Sequence, residues 1–378
     1  MTFWDKLTTL SIMQISIPQI IMILLALLLA YLAIAKKYEP LLLLPLAFGM
    51  LIANIPMAGL SVYDEGGLLY YLYKGIDLGI YPPMIFLCIG AMTDFGPLIA
   101  SPKSALIGIG GQLGIFVAMG GALLLGYIIP GMAPFTIQEA ASVGIIGSSD
   151  GPTSIYTASV LAPHLLPVIT ISAYSYMALV PFIQPPIMRA LTTHKERITE
   201  MPLPKRITRR KKIFFAFGVT IATLILVPEA GTLISMLMLG SLLKESGVTE
   251  RYVRTLTNHL LNILTLLIGI SIGATATADR ILNFQTLLII TLGLFAFSFG
   301  TIGGILIAKL LYKITGGKVN PLIGNSGVSA MPMAARVSQK LGQEYNPHNH
   351  LLMHAMGPIV SSTIGSAVIA GLLIKLFG

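Results

Sequence analysis

Apolar runs of membrane-spanning length recur from residue 17 to residue 376, and they constrain the fold more than any other feature of this chain. A helix needs about 20 mostly apolar residues to cross the hydrocarbon core of a bilayer. Ten segments approach that pattern, near 17–35, 40–58, 82–97, 104–130 and 165–188, then 213–228, 231–246, 256–278, 284–312 and 349–376. Only 10% of the residues are charged, against roughly 25% in soluble domains, which sets aside a large soluble helical protein. No small-residue cleavage site precedes Lys36-Lys37, so the stretch 17–35 reads as a first transmembrane helix rather than a cleaved signal. The expectation is an all-α polytopic membrane protein.

The charge distribution orients it. The net charge of +9 does not point to nucleic acid, because nine of the 24 basic residues lie between Arg189 and Lys212, against only Glu196 and Glu200. That is the signature of a cytoplasmic loop. The lone Cys88 excludes an intrachain disulfide framework.

Two polar, glycine-rich breaks interrupt the apolar pattern, at about 139–161 and 319–341. The first contains Gly147-Ser-Ser-Asp-Gly-Pro-Thr-Ser154. The second contains Asn320-Pro-Leu-Ile-Gly-Asn-Ser-Gly-Val-Ser329, then Ala-Met-Pro-Met-Ala-Ala-Arg336. Gly and Pro free backbone groups that lipid cannot satisfy, so such breaks persist only inside protein or beside a polar cavity. Each lies between the fourth and fifth apolar segment of its half. Short matches recur in the same order: Ile89-Gly-Ala91 with Ile272-Gly-Ala274, Ile146-Gly-Ser-Ser149 with Ile323-Gly-Asn-Ser326, and His164-Leu-Leu166 with His350-Leu-Leu352. Five crossings per half, with basic loops kept inside, predict two inverted-topology repeats, 1–190 and 212–378, joined by a basic linker at 191–211. Break one then enters from outside and break two from inside, and their tips meet near the midplane. The architecture expected is ten transmembrane helices plus two re-entrant hairpins, a core domain working against a scaffold in elevator fashion.

The breaks also carry the candidate chemistry. An ionisable side chain in a membrane break is a functional candidate by default, and Asp150 sits among Ser148, Ser149, Thr153 and Ser154. Hard cations take oxygen ligands of these types; the competing explanation is a carboxylate capping a short helix. Asn320, Asn325, Ser326 and Ser329 offer further oxygen ligands, although Asn325-Ser-Gly also suits a plain turn. Arg336 presents a fork that fits a carboxylate, or it simply faces water. Tyr176, in Ser172-Ala-Tyr-Ser-Tyr-Met177, can ligate, donate a proton or pack. Ser361, Ser362, Thr363 and Ser366 either ligate or mediate helix packing. His350 and His354 share a helix face but lack an acid or Cys partner for zinc. Asp94 and Asp279 close corresponding segments and read as interfacial residues.

The motifs Gly-Ser-Ser-Asp150-Gly-Pro-Thr-Ser-Ile-Tyr, Asn320-Pro-Leu-Ile-Gly, Gly327-Val-Ser-Ala-Met-Pro-Met-Ala-Ala-Arg336-Val-Ser and Leu352-Met-His-Ala-Met-Gly-Pro358 resemble the β subunit of the sodium-pumping, biotin-dependent decarboxylases. The resemblance covers essentially the whole chain. It implies a prokaryotic plasma-membrane subunit that receives carboxybiotin from the cytoplasmic side, decarboxylates it with consumption of a proton, and exports Na+. It implies partners: a biotin carrier and carboxyltransferase α-type subunit, a small membrane γ/δ-type subunit, and further copies of the chain in a trimer. Biotin would ride on the carrier, not on this chain. Among site residues it implies Asp150, Tyr176 and Arg336 for catalysis, and Arg336, Asn320 and Gly324 for carboxybiotin. For Na+ it implies Asp150, Asn320, Tyr176, Ser329 and Ser366. Ile359 departs from the pattern, where an Asn ligand is expected after Met-Gly-Pro; Asn325 or Ser361 would take over, or one ion site is weakened. The residues by themselves also fit a Na+-coupled secondary transporter for a small carboxylate, with Asp150 on the cation and Arg336 on the substrate.

Overall fold

The computed structural model describes residues 15–37, 39–56, 62, 65–129, 134–148, 150–202 and 205–378, and every regular element among them is helical. The first half contains α1 (Ile17–Ala35), α2 (Pro40–Ala53), α3 (Leu68–Asp77), α4 (Tyr81–Met92), α5 (Pro102–Ile128), α6 (Ile137–Gly144), α7 (Gly151–Leu161) and α8 (Leu166–Leu191). The second contains α9 (Arg209–Leu226), α10 (Gly231–Ser246), α11 (Glu250–Thr275), α12 (Phe284–Ile314), a 3-10 turn at Pro321–Gly327, α13 (Met333–Tyr345) and α14 (Leu352–Phe377).

Local chemistry fixes several boundaries. Thr136 and Glu139 form a reciprocal capping box that starts α6, and Thr193 with Glu196 does the same for a one-turn helix in the linker. Gly247, at φ 70°, closes α10 in the left-handed conformation that a side chain disfavours. Five helices are long and apolar enough to span alone: α1, α5, α11, α12 and α14. Two bent pairs raise the number to seven: α3 with α4, bent by 68°, and α8, bent by 60° between Tyr176 and Leu179. The remaining expected crossings are shorter or more charged. With 14 and 16 residues, α2 and α10 reach about 21 and 24 Å, against a core of about 30 Å. The opening turn of α9 is Arg209-Arg-Lys-Lys212.

Two helix pairs share one packing device. On α2 and α11, a Cβ at Gly49 would lie 2.2 Å from the Ile270 carbonyl oxygen, and one at Gly273 would lie 2.0 Å from that of Leu46. On α10 and α4, the matching distances are 2.1 Å from Gly240 to the Leu87 oxygen and 1.9 Å from Gly90 to that of Leu237. Lipid gives little hydrophobic drive for helix association, so bare backbone contact of this kind holds membrane helices together. The outer face of α1 is apolar, with Ile17, Leu24, Leu27 and Ile34 all more than half exposed, as a bilayer-facing helix requires. Inside, α5 and α12 enclose both breaks: Gly111 and Gly327 touch so closely that a Cβ on Gly111 would lie 1.7 Å from the Gly327 oxygen.

Candidate functional site

The tips of the two breaks meet: the Ser329 amide donates to the Ser148 carbonyl at 2.9 Å. Break one runs from α6 through a 3-10 turn, Ile145–Ser148, to Asp150 and the start of α7, where Pro152 suits a first helical turn. Ser149 lies outside the described residues. Break two leaves Asn320, passes through the 3-10 turn, extends at Val328 and re-enters helix at α13.

Asp150 is 4% exposed. Its Oδ2 accepts hydrogen bonds from Thr153 Oγ1 at 2.7 Å and Ser366 Oγ at 2.9 Å. Among the described residues no Lys, Arg or His pairs with it. Helix capping explains only part of this: Asp150 holds the N-cap position of α7 and the Thr153 amide faces its carboxyl, but no well-formed capping bond results. A buried carboxylate with no cationic partner is a costly charge in a poorly solvated place unless a proton or a cation neutralises it. Asp150 lines a cavity of about 430 Å³ together with Gly151, Tyr174, Ser329, Thr363 and the partly exposed Glu39. Much of the remaining lining is apolar, from residues such as Ile85, Ile89 and Met356. A cavity lined by both oxygen groups and hydrocarbon suits a small cation next to a partly apolar substrate.

The other sequence candidates are distributed around this cavity. Ser329 lines it and donates to Ser362 Oγ at 2.9 Å, which in turn accepts from Gln112 Nε2 at 2.9 Å. Ser366 touches Asp150 directly. Asn325 is buried behind the tip, where Nδ2 donates to Gln184 Oε1 at 2.8 Å and to the Ala334 carbonyl at 2.9 Å. Its Oδ1 accepts from Ser338, so the whole amide is committed to protein. Asn320 is likewise committed: its amide donates to the Arg197 and Thr199 carbonyls at 3.0 and 2.8 Å, and its oxygen accepts from the Leu322 amide. Gly324 packs backbone to backbone on α12, 2.4 Å from Ile305 Cα for an added Cβ.

Tyr176 does not line the cavity; its hydroxyl donates to the Ile290 carbonyl and its ring packs on Gly293 of α12. Tyr174, two residues earlier and on another helix face, is the phenol beside Asp150. A Cβ on Gly151 would lie 2.3 Å from its ring. Arg336 is exposed on α13 and lines a separate surface groove of about 480 Å³ with Gln339, Lys340 and Glu344. Ile359 is fully buried. Neither replacement expected for it is free: Asn325 is committed as described, and Ser361 donates to the Ala105 carbonyl at 3.0 Å. Thr363, one turn on, is the hydroxyl that lines the cavity there. Sequence reasoning missed Glu39, Tyr174, Gln112 and Gln184. A lone Gln inside an apolar span was the available signal for the last two.

The family of Na+-transporting oxaloacetate decarboxylase β subunits matches residues 18–377 of the chain. The methylmalonyl-CoA decarboxylase β subunit of Propionigenium modestum is 52% identical over 386 residues, covering 96% of each chain. The glutaconyl-CoA decarboxylase β subunit of Acidaminococcus fermentans is 50% identical over 358 residues, covering 95% of this chain and 93% of that protein. The oxaloacetate decarboxylase β chain 2 of Salmonella typhi is 46% identical over 418 residues, covering 96% of each.

Proposed function

The chain belongs to the family of Na+-transporting oxaloacetate decarboxylase β subunits, and from that membership we propose how its residues couple decarboxylation to Na+ movement. It is a membrane subunit of a multi-subunit Na+-translocating decarboxylase. Family membership separates this function from the secondary transporter that the residues alone left open. The related β subunits serve complexes named for three different acids, which supports choice of the acid by a partner rather than by this chain. In our reading that partner is a carboxyltransferase with a biotin carrier, a small γ/δ-type subunit completes the complex, and the β chains form a trimer in the prokaryotic plasma membrane.

Carboxybiotin reaches the chain from the cytoplasmic side, and Arg336 takes its carboxylate with two parallel hydrogen bonds. Loss of the carboxyl as CO2 leaves the bonding pair on the ureido nitrogen, which takes up one proton. Arg336 lies in its own exposed groove, so the carboxyl passes from it to the apolar Asp150 cavity, where scarce water destabilises the carboxylate, before CO2 is lost. Asp150, with Thr153, Ser366, Ser329 and Thr363 around it, holds Na+ until the core rearranges. The observation that carries the proposal is the buried Asp150 carboxylate, with no Lys, Arg or His partner among the described residues, at the meeting point of the two breaks. Tyr174, not Tyr176, is the phenol placed to serve it; Tyr176 would first have to release the Ile290 carbonyl. Asn320 and Asn325 act at one remove, by fixing break two to the linker and to α8.

Two inverted repeats, 1–190 and 212–378, remain our reading of the architecture. The pairing of Gly49 with Gly273 and of Gly240 with Gly90 supports it. Gly49 and Gly240 hold the same place in α2 and α10, and Gly90 and Gly273 are the matched glycines of the Ile-Gly-Ala repeats. In this architecture α2, α4, α10 and α11 form the scaffold, and α5, α12, α8, α14 and the breaks form the core that moves against it. Of the linker at 191–211, the part near Arg197 travels with the core through Asn320. Asp150→Asn in the reconstituted complex tests the site: membrane assembly should persist while Na+-stimulated decarboxylation is lost. Normal Na+ stimulation in that variant removes Asp150 from the mechanism.

A further inference from the structure

We propose that Gln112 is a positioning residue of the cation site: acting through Ser362, it holds the Ser329 hydroxyl with its hydrogen turned away and its oxygen lone pairs open to Na+. This role rests on the cation site proposed above at Asp150 and adds to it the means by which one neutral ligand is kept in order.

A hydroxyl that ligates a cation must send its single hydrogen elsewhere, because a hydrogen facing the ion repels it. Thr363, which also lines the cavity, does this within its own helix by donating to the Ile359 carbonyl at 3.1 Å. Ser329 has no helix around it to supply such an acceptor. It lies in irregular backbone just past the 3-10 turn of break two. Its amide is spent on the Ser148 carbonyl, and its own carbonyl accepts from the Met331 amide at 2.8 Å. The hydroxyl hydrogen crosses to α14 instead, where Ser329 Oγ donates to Ser362 Oγ at 2.9 Å. The lone pairs of Ser329 Oγ are then left for the cavity that it lines.

That bond is only as fixed as Ser362. A serine hydroxyl donates as readily as it accepts. If Ser362 turned its hydrogen toward Ser329, the Ser329 hydrogen would be displaced toward the ion. Gln112 holds Ser362 as an acceptor: its Nε2 donates to Ser362 Oγ at 2.9 Å, so Ser362 Oγ receives a hydrogen from each side. The orientation of the Gln112 amide is itself set. Nε2 also faces the Gly108 carbonyl at 3.1 Å and the Ser362 carbonyl at 3.3 Å, and exchanging its oxygen and nitrogen would point one oxygen at two others. All three residues are buried, so water does not compete for these bonds.

Packing alone accounts poorly for Gln112. The regular helix of α5 is interrupted there, between Gly111 and Leu113. Gln112 Oε1 is buried and meets no hydrogen-bond partner among the described residues. An unpaired buried oxygen costs stability, and an apolar side chain of the same length would remove that cost. Local rules broken in this way are expected where a site needs a particular group.

The test is Na+-dependent decarboxylation of free carboxybiotin by the purified complex, beside thermal unfolding in detergent. The variants are Gln112→Met, Ser362→Ala, Ser329→Ala, the double variant Gln112→Met with Ser329→Ala, and Asp150→Asn as control. Methionine keeps the length of glutamine and removes the amide. Ser362→Ala breaks the same relay by the loss of one small group, so the outcome does not depend on Gln112→Met assembling. Each of these two should raise the half-saturating Na+ concentration roughly tenfold. Ser329→Ala should raise it at least as far, and Gln112→Met should then add nothing, because no hydroxyl is left to position. An equal shift from Gln112→Met with and without the Ser329 hydroxyl would overturn the relay. So would a lowered melting temperature in Gln112→Met and Ser362→Ala with half-saturation unchanged, which is the result for residues that only pack. If Asp150→Asn abolishes Na+ stimulation but Ser329→Ala leaves half-saturation unchanged, the relay falls and the Asp150 site stands. If Asp150→Asn keeps Na+ stimulation, the site is wrong and the relay falls with it.

Discussion

Thr153→Val isolates a single oxygen of the inner site. Thr153 and Val have nearly the same shape, and position 153 is fully buried, so little but the hydroxyl changes. That hydroxyl donates only to Asp150 Oδ2, at 2.7 Å. If Thr153 also ligates the ion, its hydrogen stays on the carboxylate and a lone pair turns to the cation. The hydrogen bond is then lost from the empty and loaded forms alike and cancels from the affinity, leaving the missing ligand. A hydrogen bond or ligand contact to a charged group is worth about 1.5–3 kcal/mol, so the half-saturating Na+ concentration should rise roughly 10- to 150-fold. The same change should lower the melting temperature, because Asp150 loses a donor. Ser366→Ala is the internal comparison. Its one hydrogen is shared between Asp150 Oδ2 at 2.9 Å and the Thr363 carbonyl at 3.0 Å, so its stability loss should be smaller. The readout is decarboxylation rate against Na+ concentration beside thermal unfolding in detergent. A lowered melting temperature with half-saturation unchanged within about twofold would show that Thr153 only supports Asp150.

Other expectations are as direct. Tyr174→Phe should shift the Na+ dependence, whereas Tyr176→Phe should mainly cost stability, by about 1 kcal/mol, from the lost hydrogen bond to the Ile290 carbonyl; the reverse pattern would return the ligand role to Tyr176. Gln184→Leu strands the Asn325 amide and removes the bond to its carbonyl, at 2.8 and 2.9 Å, and should cost about 2–4 kcal/mol in unfolding measurements. At the linker end of α4, burial alone would raise the Asp94 carboxyl, but the Lys212 hydrogen bond, the Gly96 amide and the charges of Lys212 and Lys244 hold it below the ordinary 3.8. A depressed pKa gives stability that is present above 3.8 and lost as pH falls through the lowered value. Asp94→Asn should therefore lower the melting temperature near pH 7 and match the unmodified protein in strong acid.

The class of fold and the pair of breaks were legible because both follow from solvent physics: apolar runs must be helices, and polar breaks must be sheltered. Asp150 stood out because a charge in such a break needs a reason to be there. Arg336 was ambiguous in sequence, since the first turn of α13 can face either the cavity or water, and it lies exposed in a groove of its own. Tyr174 and Tyr176 are two residues apart on a helix, and periodicity cannot say which face meets the break. Asn320 and Asn325 look like ligands by residue type, yet each amide is consumed by protein partners more than 100 positions away in sequence. Glu39 carried no local signal, because it joins the cavity lining only where α2, α4, α11 and break two close around one space. Length and composition alone single out five to seven spans, and α2 and α10 fall short of that measure at 14 and 16 residues, packed on glycine-rich partners as much as on lipid.

The most direct measurement is coupled flux in proteoliposomes holding the complete complex, following ²²Na+ uptake and CO2 release in the same sample. Na+ uptake should keep a fixed ratio to carboxybiotin consumed, and Asp150→Asn should abolish both while the complex remains assembled. Continued decarboxylation without Na+ movement in Asp150→Asn, or Na+ movement without carboxybiotin in the unmodified protein, would contradict a single site that binds the ion and gates the reaction.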